Sequence, residues 1–259
     1  MSVADLADVR LHYVLEGADT APVVMLANSL GTDISMWEPQ MAALTRDFRV
    51  LRYDARGHGD SAVTPGPYSV AQLGRDALAL LDHLAIDRAH FCGLSMGGMT
   101  GMWVGIHAPD RIEKLVLANT AARIAPPAIW DTRIDRVNAG GMAAISDAVL
   151  TRWFTPEFME AQPATIAAMR TMLERTPAAG YTACCAAVRD MDQRDAIGGI
   201  TLPTLVLAGT YDAATPPADG RFLADSIGGA RYVELAGAHL SNIEAAAHFA
   251  DAVSSFLAK

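Results

Sequence analysis

A serine enclosed by glycines is the residue of this sequence best suited to covalent chemistry. The segment Gly93-Leu94-Ser95-Met96-Gly97 ends the apolar run His90–Gly93, which predicts a buried strand, and opens the helix-like run Met96–His107. A strand, a sharp glycine-flanked turn at a serine and a helix together form a nucleophile elbow, which presents the hydroxyl beside a helix N-terminus. The sequence therefore predicts Ser95 as a nucleophile.

A serine hydroxyl needs a base, and the base needs a carboxylate that orients it. With this type of elbow the acid follows the serine in the chain and the histidine comes last. Asp212 comes shortly after the predicted strand Thr204–Ala208, and His239 comes shortly after the predicted strand Arg231–Leu235. We therefore predict Asp212 as the acid and His239 as the base.

Each of these residues also has a purely structural interpretation. Ser95 could stand in a packing turn of small residues, Asp212 could cap the helix that follows it, and His239 could be a structural loop histidine. Two weaker candidates for the acid, Asp219 and Asp225, lie within the next predicted helix. His58 lies in a glycine-rich turn and could have a role at the edge of the pocket.

Acyl transfer also needs donors for the oxyanion that develops on the attacked carbonyl. One is the N–H of the residue after the nucleophile, here Met96, and the other comes from the loop after an earlier strand. The loop Asn28–Asp33 follows the predicted strand Val23–Ala27, and we assign Leu30 N–H as the second donor. An ordinary polar loop is the alternative interpretation.

The elements that must position these residues alternate between short apolar runs and helical segments. An alternating stretch at Val9–Glu16 indicates an N-terminal antiparallel hairpin. The runs that predict buried parallel strands are Val23–Ala27, Val50–Tyr53, His90–Gly93, Leu115–Asn119, Thr204–Ala208 and Arg231–Leu235. The predicted helices are Trp37–Thr45, Val70–Leu84, Met96–His107, Pro216–Ser226 and Ala245–Leu257. This alternation predicts an α/β fold with a mostly parallel sheet, helices on both faces and ligands at the carboxyl ends of the strands.

The stretch between Asn119 and Thr204 contains no strand-like run, only helix-like segments separated by prolines and glycines. It is too long for a structureless loop, so we predict a helical lid over the strand ends. The predicted organisation is a core of residues 1–120 and 200–259 with a cap of residues 121–199.

Composition excludes several other classes of protein. The 259 residues are 51% apolar and 19% charged, which is enough for a sizeable core and excludes an intrinsically disordered chain. The formal net charge of -9 and the lack of a basic cluster argue against a nucleic-acid partner, and no apolar run approaches the ~18 residues of a membrane span. The three cysteines are interpreted as free thiols, which favours a cytoplasmic protein. We expect no cofactor and no metal, and the oligomeric state stays open.

At these residues the sequence resembles the α/β-hydrolases. Six stretches are similar to one family in particular, the 3-oxoadipate enol-lactonases: LANSLGTDISMWEPQ (Leu26–Gln40), LRYDARGHGDS (Leu51–Ser61), AHFCGLSMGGMTGMWVGIHAP (Ala89–Pro109), LVLANTAARI (Leu115–Ile124), RWFTP (Arg152–Pro156) and GAHLSN (Gly237–Asn242). The resemblance implies an eight-stranded α/β-hydrolase sheet and hydrolysis of 3-oxoadipate enol-lactone to 3-oxoadipate in the β-ketoadipate pathway of aromatic catabolism. One departure is Asn28-Ser29-Leu30, where the superfamily usually has His-Gly-X.

The implied substrate is a small lactone that carries a free carboxylate, which an acidic protein must bind with local cations. A guanidinium can donate two parallel hydrogen bonds to a carboxylate, and the candidates are Arg133, Arg136 and Arg152. We favour Arg133, with Trp130 and Trp153 as apolar walls. The alternative for each arginine is a solvated or ion-paired side chain of the lid.

Three other functions remain open at the level of sequence. A general carboxylesterase or a carbon–carbon bond hydrolase would use the same three catalytic residues, because one fold hosts many activities. A small-molecule receptor that keeps these residues but turns over slowly is an alternative of another class.

Overall fold

Eight strands form a single sheet in the computed structural model, which describes residues 2–124 and 126–258. In chain order they are β1 Ser2–Asp5, β2 Arg10–Glu16, β3 Val23–Ala27, β4 Arg49–Tyr53, β5 Ala89–Leu94, β6 Ile112–Ala118, β7 Thr204–Gly209 and β8 Arg231–Leu235. Their order across the sheet is β1-β2-β4-β3-β5-β6-β7-β8. The pairs β1–β2 and β2–β4 are antiparallel and the remaining pairs are parallel, which confirms the predicted mostly parallel sheet and its N-terminal hairpin.

Eleven α-helices accompany the strands in the described chain. They are α1 Glu38–Leu44, α2 Val70–His83, α3 Met96–His107, α4 Pro127–Gly140, α5 Ser146–Trp153, α6 Pro156–Ala161, α7 Pro163–Arg175, α8 Ala178–Asp190, α9 Pro217–Ser226, α10 Ser241–Glu244 and α11 Ala246–Leu257. Helix α2 packs on α3, and α1 packs on α11. Within the described residues no helix has the length and apolar character needed to cross a bilayer.

The central strands are continuous apolar runs in the sequence because they are buried on both faces. All residues of β5 and of β7 are buried, as expected for parallel strands covered by helices on both faces. The exposed residues of the sheet are concentrated in the edge strands β1 and β8. The carboxyl ends of the buried strands therefore form one edge at which loops can converge.

Several predicted boundaries differ from the structure by one to three residues, and two of these differences have a clear local reason. Strand β6 begins at Ile112 rather than Leu115 and ends before Asn119, whose φ of +44° is incompatible with an extended strand. The predicted helix Ala245–Leu257 starts one residue later, because Ala245 has non-helical angles (φ -113°, ψ 40°) and separates α11 from the short helix α10.

Helices α4 to α8 all lie between β6 and β7, in the stretch for which the sequence predicts only helices. Helix α4 packs on α8, and α5 packs on α7. The carbonyl of Trp153, at the end of α5, accepts a 3.0 Å hydrogen bond from the N–H of Leu240, which follows β8. The helical insertion is thus tied to the loops at the carboxyl ends of the strands.

Candidate active site

The predicted functional residues follow strands that are neighbours in the sheet. Leu30 follows β3, Ser95 follows β5, Asp212 follows β7 and His239 follows β8. These four strands and β6 lie side by side in the order β3-β5-β6-β7-β8, all parallel. Their carboxyl ends share one edge of the sheet, so the four loops meet above it.

The turn at Ser95 has the strained geometry of a nucleophile elbow. Its φ of 56° and ψ of -115° lie in a region that side-chain-bearing residues rarely adopt. A Cβ on Gly93 would stand 2.1 Å from the carbonyl oxygen of Gly97, and one on Gly97 would stand 2.0 Å from that of Ala27. Glycine is therefore required on both sides of the serine by close backbone contacts.

Two hydrogen bonds join Ser95, His239 and Asp212. The distance from His239 Nε2 to Ser95 Oγ is 2.9 Å, and that from His239 Nδ1 to Asp212 Oδ2 is 2.8 Å. When Nδ1 donates to the carboxylate, Nε2 is left as an acceptor for the serine hydroxyl proton. This arrangement can activate Ser95, and in the described chain His239 forms no such bond with Asp219 or Asp225.

The Asp212 carboxylate accepts hydrogen bonds from more groups than His239 alone. Oδ1 accepts from the N–H groups of Ala214 (2.8 Å) and Thr215 (3.0 Å), and Oδ2 also accepts from the Thr215 hydroxyl (2.7 Å). Burial acts to raise the pKa of Asp212, but the neighbouring His239 and these donors outweigh it and hold the pKa below its usual range. Asp212 is therefore a carboxylate that can orient an imidazole.

Asn119 is a residue of this site that the sequence reasoning missed. Its Nδ2 donates to Asp212 Oδ2 at 3.0 Å and to the carbonyl of Ala238 at 3.2 Å, and its Oδ1 accepts from the Ser241 hydroxyl at 2.6 Å. It links the loops after β6, β7 and β8. The signal available in the sequence was its position, because a polar residue directly after a buried parallel strand stands at the edge where Asp212 and His239 also lie.

We expect Asn119→Ala to lower kcat about 10- to 100-fold, because hydrogen bonds to charged groups contribute about 1.5–3 kcal/mol. Without the amide, Asp212 loses one of the donors that fix its orientation toward His239. Steady-state kinetics and the thermal unfolding midpoint would be measured together, with Asn138→Ala on the exposed part of α4 as the matched control. Wild-type kcat in a folded Asn119→Ala protein would contradict this role.

The two predicted oxyanion donors have no competing partner. Among the hydrogen bonds of the described residues, none starts at the N–H of Leu30 or Met96. Met96 is the first residue of α3, and Leu30 lines a cavity together with Ser95. The side chain of Asn28, which stands where the superfamily usually has histidine, donates to the carbonyl of Tyr53 (3.0 Å) and accepts from Trp37 (2.8 Å). These two hydrogen bonds of Asn28 anchor the loop that carries Leu30.

A cavity of about 200 Å³ opens over Ser95 and His239. The residues that the helical insertion contributes to its wall include all three predicted substrate-binding residues and one further arginine: Trp130, Arg133, Trp153 and Arg152. The indole N–H of Trp130 is buried without a hydrogen-bond partner in the described chain. The described residues include no group of His, Cys, Asp and Glu side chains suited to hold a metal ion.

The two cavity arginines lack carboxylate partners. Among the described residues, no Asp or Glu oxygen lies within 4.0 Å of the guanidinium of Arg133 or Arg152. The guanidinium carbon of Arg133 lies 4.8 Å from the ring centroid of Trp130. Partial burial and the charge of Arg133 both lower the pKa of Arg152. Two uncompensated cations in the same cavity as Ser95 favour the binding of an anion there.

The third arginine that the sequence suggested lies farther out. Arg136 lines a neighbouring cavity of about 350 Å³, whose wall also includes Arg133 and Arg152, but it does not line the cavity over Ser95. Its guanidinium donates to the carbonyl of Ala144 at 2.9 Å. Arg136 is therefore a useful comparison for the two inner arginines.

Comparison with known proteins identifies close relatives. A family model described as alpha/beta hydrolase fold matches residues 22–246. Two proteins of Acinetobacter baylyi, 3-oxoadipate enol-lactonase 2 and 3-oxoadipate enol-lactonase 1, are 42% and 39% identical over 96% and 95% of this chain and 94% and 92% of their own lengths. The crystal structure of the enol-lactonase from Burkholderia xenovorans superposes with a TM-score of 0.98 at 49% identity and full coverage of both chains.

Proposed function

Because the chain belongs to the α/β-hydrolase family, in the group of the 3-oxoadipate enol-lactonases, we propose that it opens 3-oxoadipate enol-lactone with water to give 3-oxoadipate. This would be a late step of aromatic catabolism through the β-ketoadipate pathway. Ser95, His239 and Asp212 act as nucleophile, base and orienting acid. Residues 121–199 act as the cap of a core formed by residues 1–120 and 200–259.

One observation supports an anionic lactone over a neutral ester. Arg133 and Arg152 line the same cavity as Ser95 and His239, and neither has a carboxylate partner in the described chain. Two unpaired cations offer nothing to an uncharged ester, whereas a planar guanidinium fits the free carboxylate of the enol-lactone.

The reaction begins with attack of Ser95 Oγ on the lactone carbonyl while His239 Nε2 takes the hydroxyl proton. The imidazolium is stabilised by Asp212, and the carbonyl oxygen becomes an oxyanion between the N–H groups of Leu30 and Met96. Removing one donor of this kind typically lowers kcat about 10²–10³-fold. The intermediate collapses by cleavage of the ring C–O bond, which leaves an acyl group on Ser95.

The leaving group of this ring opening is an enolate, which is a weaker base than an alkoxide and depends less on acid catalysis. It stays tethered in the acyl-enzyme and takes the proton that His239 received from Ser95, which returns the imidazole to its neutral form. Tautomerisation to the ketone then removes the oxygen nucleophile that could close the ring again. A water molecule then attacks the acyl carbonyl while His239 takes its proton. Cleavage of the ester bond, with the proton passed from His239 back to Ser95 Oγ, releases 3-oxoadipate, and no cofactor takes part.

The proposed function is tested by steady-state hydrolysis of freshly generated 3-oxoadipate enol-lactone, followed by loss of its ultraviolet absorbance. We expect a kcat/KM of about 10⁴ M⁻¹s⁻¹ or more, the ordinary range of enzymes. A neutral aryl ester serves as the comparison substrate. Turnover of that ester without turnover of the enol-lactone would leave a serine hydrolase and remove the proposed substrate.

We expect Arg133→Ala to raise KM for the enol-lactone about 10- to 100-fold, the range of a hydrogen bond to a charged group. For a neutral aryl ester kcat/KM should change by less than about threefold, because that ester has no carboxylate to lose. Arg152→Ala tests the second inner guanidinium, and Arg136→Ala is the matched control on the same helix as Arg133. An unchanged KM for the enol-lactone in Arg133→Ala would remove Arg133 as the carboxylate anchor.

A further inference from the structure

His58 is fully buried and lies against the loop that carries one proposed oxyanion donor. Its side chain is 0% exposed, and its Nε2 accepts a 2.9 Å hydrogen bond from the N–H of Gly31. It belongs to the glycine-rich turn after β4 and does not line the cavity over Ser95. The sequence suggested a role for His58 at the edge of the pocket, whereas the structure buries it outside the lining of the cavity over Ser95.

The loop that His58 contacts is a tight turn closed at both ends. The N–H of Thr32 donates to the carbonyl of Ser29 at 3.3 Å, and the Thr32 hydroxyl donates to the same carbonyl at 2.8 Å. Gly31, third in this turn, has a φ of +83°, which a type II turn requires at that position. Leu30 N–H and the carbonyl of Ser29 belong to one peptide plane, so Thr32 fixes one side of Leu30.

His58 fixes the other side of Leu30. The N–H of Gly31 belongs to the peptide plane that joins Leu30 to Gly31, and this plane is held by the imidazole acceptor. Residue 31 has no side chain that could hold this peptide, and a Cβ at this position would stand 2.7 Å from Leu173 Cδ1. With both flanking peptides held, the direction of Leu30 N–H is set before any substrate arrives.

The imidazole is suited to act as a permanent acceptor. Burial lowers the pKa of His58 to about 4, so the ring is neutral at ordinary pH and one nitrogen keeps its lone pair. The other nitrogen, Nδ1, lies 3.4 Å from the carbonyl oxygen of Arg56 and 3.9 Å from Cys184 Sγ. A proton on Nδ1 therefore faces acceptors, and Nε2 is free to receive the Gly31 N–H.

We propose that His58 is a positioning residue of catalysis, which holds the Leu30–Gly31 peptide so that Leu30 N–H points at the oxyanion. This inference rests on the proposed hydrolase mechanism. It predicts an effect on the transition state and little effect on substrate binding, because the oxyanion exists only after Ser95 attacks. It also predicts that a second acceptor of similar reach can replace the imidazole.

The experiment compares His58→Leu, which removes the acceptor, with His58→Gln, whose amide oxygen can accept from Gly31. We expect kcat of the leucine variant to fall about 10²-fold, as for loss of an oxyanion donor, with KM changed by less than about threefold. The glutamine variant should keep kcat within about fivefold of wild type. Affinity for a trifluoromethyl ketone, which forms a tetrahedral oxyanion on Ser95, should fall with kcat, whereas inhibition by 3-oxoadipate should not change.

Controls separate this role from simple packing. His83→Leu on the exposed part of α2 is the matched histidine control, and the thermal unfolding midpoint is measured for each variant. If the leucine variant does not fold, His58→Phe serves as the second variant without an acceptor. Equal losses in the glutamine and leucine variants, or a loss confined to KM, would overturn the proposal.

A neutral aryl ester makes this test independent of the substrate assigned above. Hydrolysis of that ester uses the same oxyanion donors, so kcat for it should fall with kcat for the enol-lactone. Failure of the wild-type protein to turn over the enol-lactone would then contradict the proposed substrate, while the ester series would still decide the role of His58.

Discussion

Replacement of Ser95 by alanine is expected to lower kcat for the enol-lactone by about 10⁶-fold, the loss seen when a serine hydrolase loses its nucleophile. Without Oγ no acyl-enzyme can form, and His239 can only assist direct attack by water. The fold should be retained, because Ser95 Oγ bonds only to His239 Nε2 among the hydrogen bonds of the described residues. Stability close to that of wild type is therefore expected.

The Ser95→Ala experiment combines kinetics with covalent labelling. A fluorophosphonate should add one equivalent to the wild-type protein and none to Ser95→Ala, as measured by intact mass. Ser255→Ala, at an exposed position of α11, is the matched serine control. Residual activity within about 100-fold of wild type would contradict a nucleophilic role. Multiple turnovers by the wild-type protein would dismiss the slow-turnover receptor.

Asp212→Asn is expected to lower kcat about 10⁴-fold while KM and the fold change little. The reason lies in the donors around the carboxylate. Two backbone N–H groups, from Ala214 and Thr215, point at Oδ1 and cannot reverse their direction, and they outnumber the one N–H that Asn119 directs at Oδ2, so the new amide oxygen takes the Oδ1 position. The amide NH₂ then faces His239 and donates to Nδ1.

A histidine that accepts at Nδ1 carries its proton on Nε2. That tautomer donates to Ser95 Oγ and cannot take the hydroxyl proton, so the serine is no longer activated. Asp225→Asn is the matched control, because this exposed aspartate of α9 was the weaker candidate and lies outside the hydrogen-bonded group. A fall in kcat of less than about tenfold in Asp212→Asn would show that another group orients the imidazole.

The sequence by itself was sufficient to predict the α/β fold and to place Ser95, Asp212 and His239 in loops that follow strands. The strand–turn–helix signal at Ser95 is local, because close contacts of Gly93 and Gly97 with neighbouring backbone require glycine there. Asp212 and His239 could be predicted because each stands in the loop after an apolar strand, and parallel strands bring such loops to one edge.

Residues that act through side-chain direction needed the tertiary structure. The sequence predicts Asn119 as the last residue of a strand. In the structure its φ is +44°, and its side chain hydrogen-bonds to Asp212 and Ser241. Arg133 and Arg136 lie three residues apart on one helix, yet only Arg133 lines the cavity over Ser95, because the packing of α4 decides which side chain faces inward.

The same limit applies to His58. A histidine in a glycine-rich turn has no spacing that relates it to the loop after β3, which lies 27 residues earlier in the chain. Only the pairing of β3 with β4 places the two loops side by side and buries the imidazole against the N–H of Gly31. Sequence patterns encode which residues are buried and where strands end, whereas contacts between separate loops arise from how the strands pair.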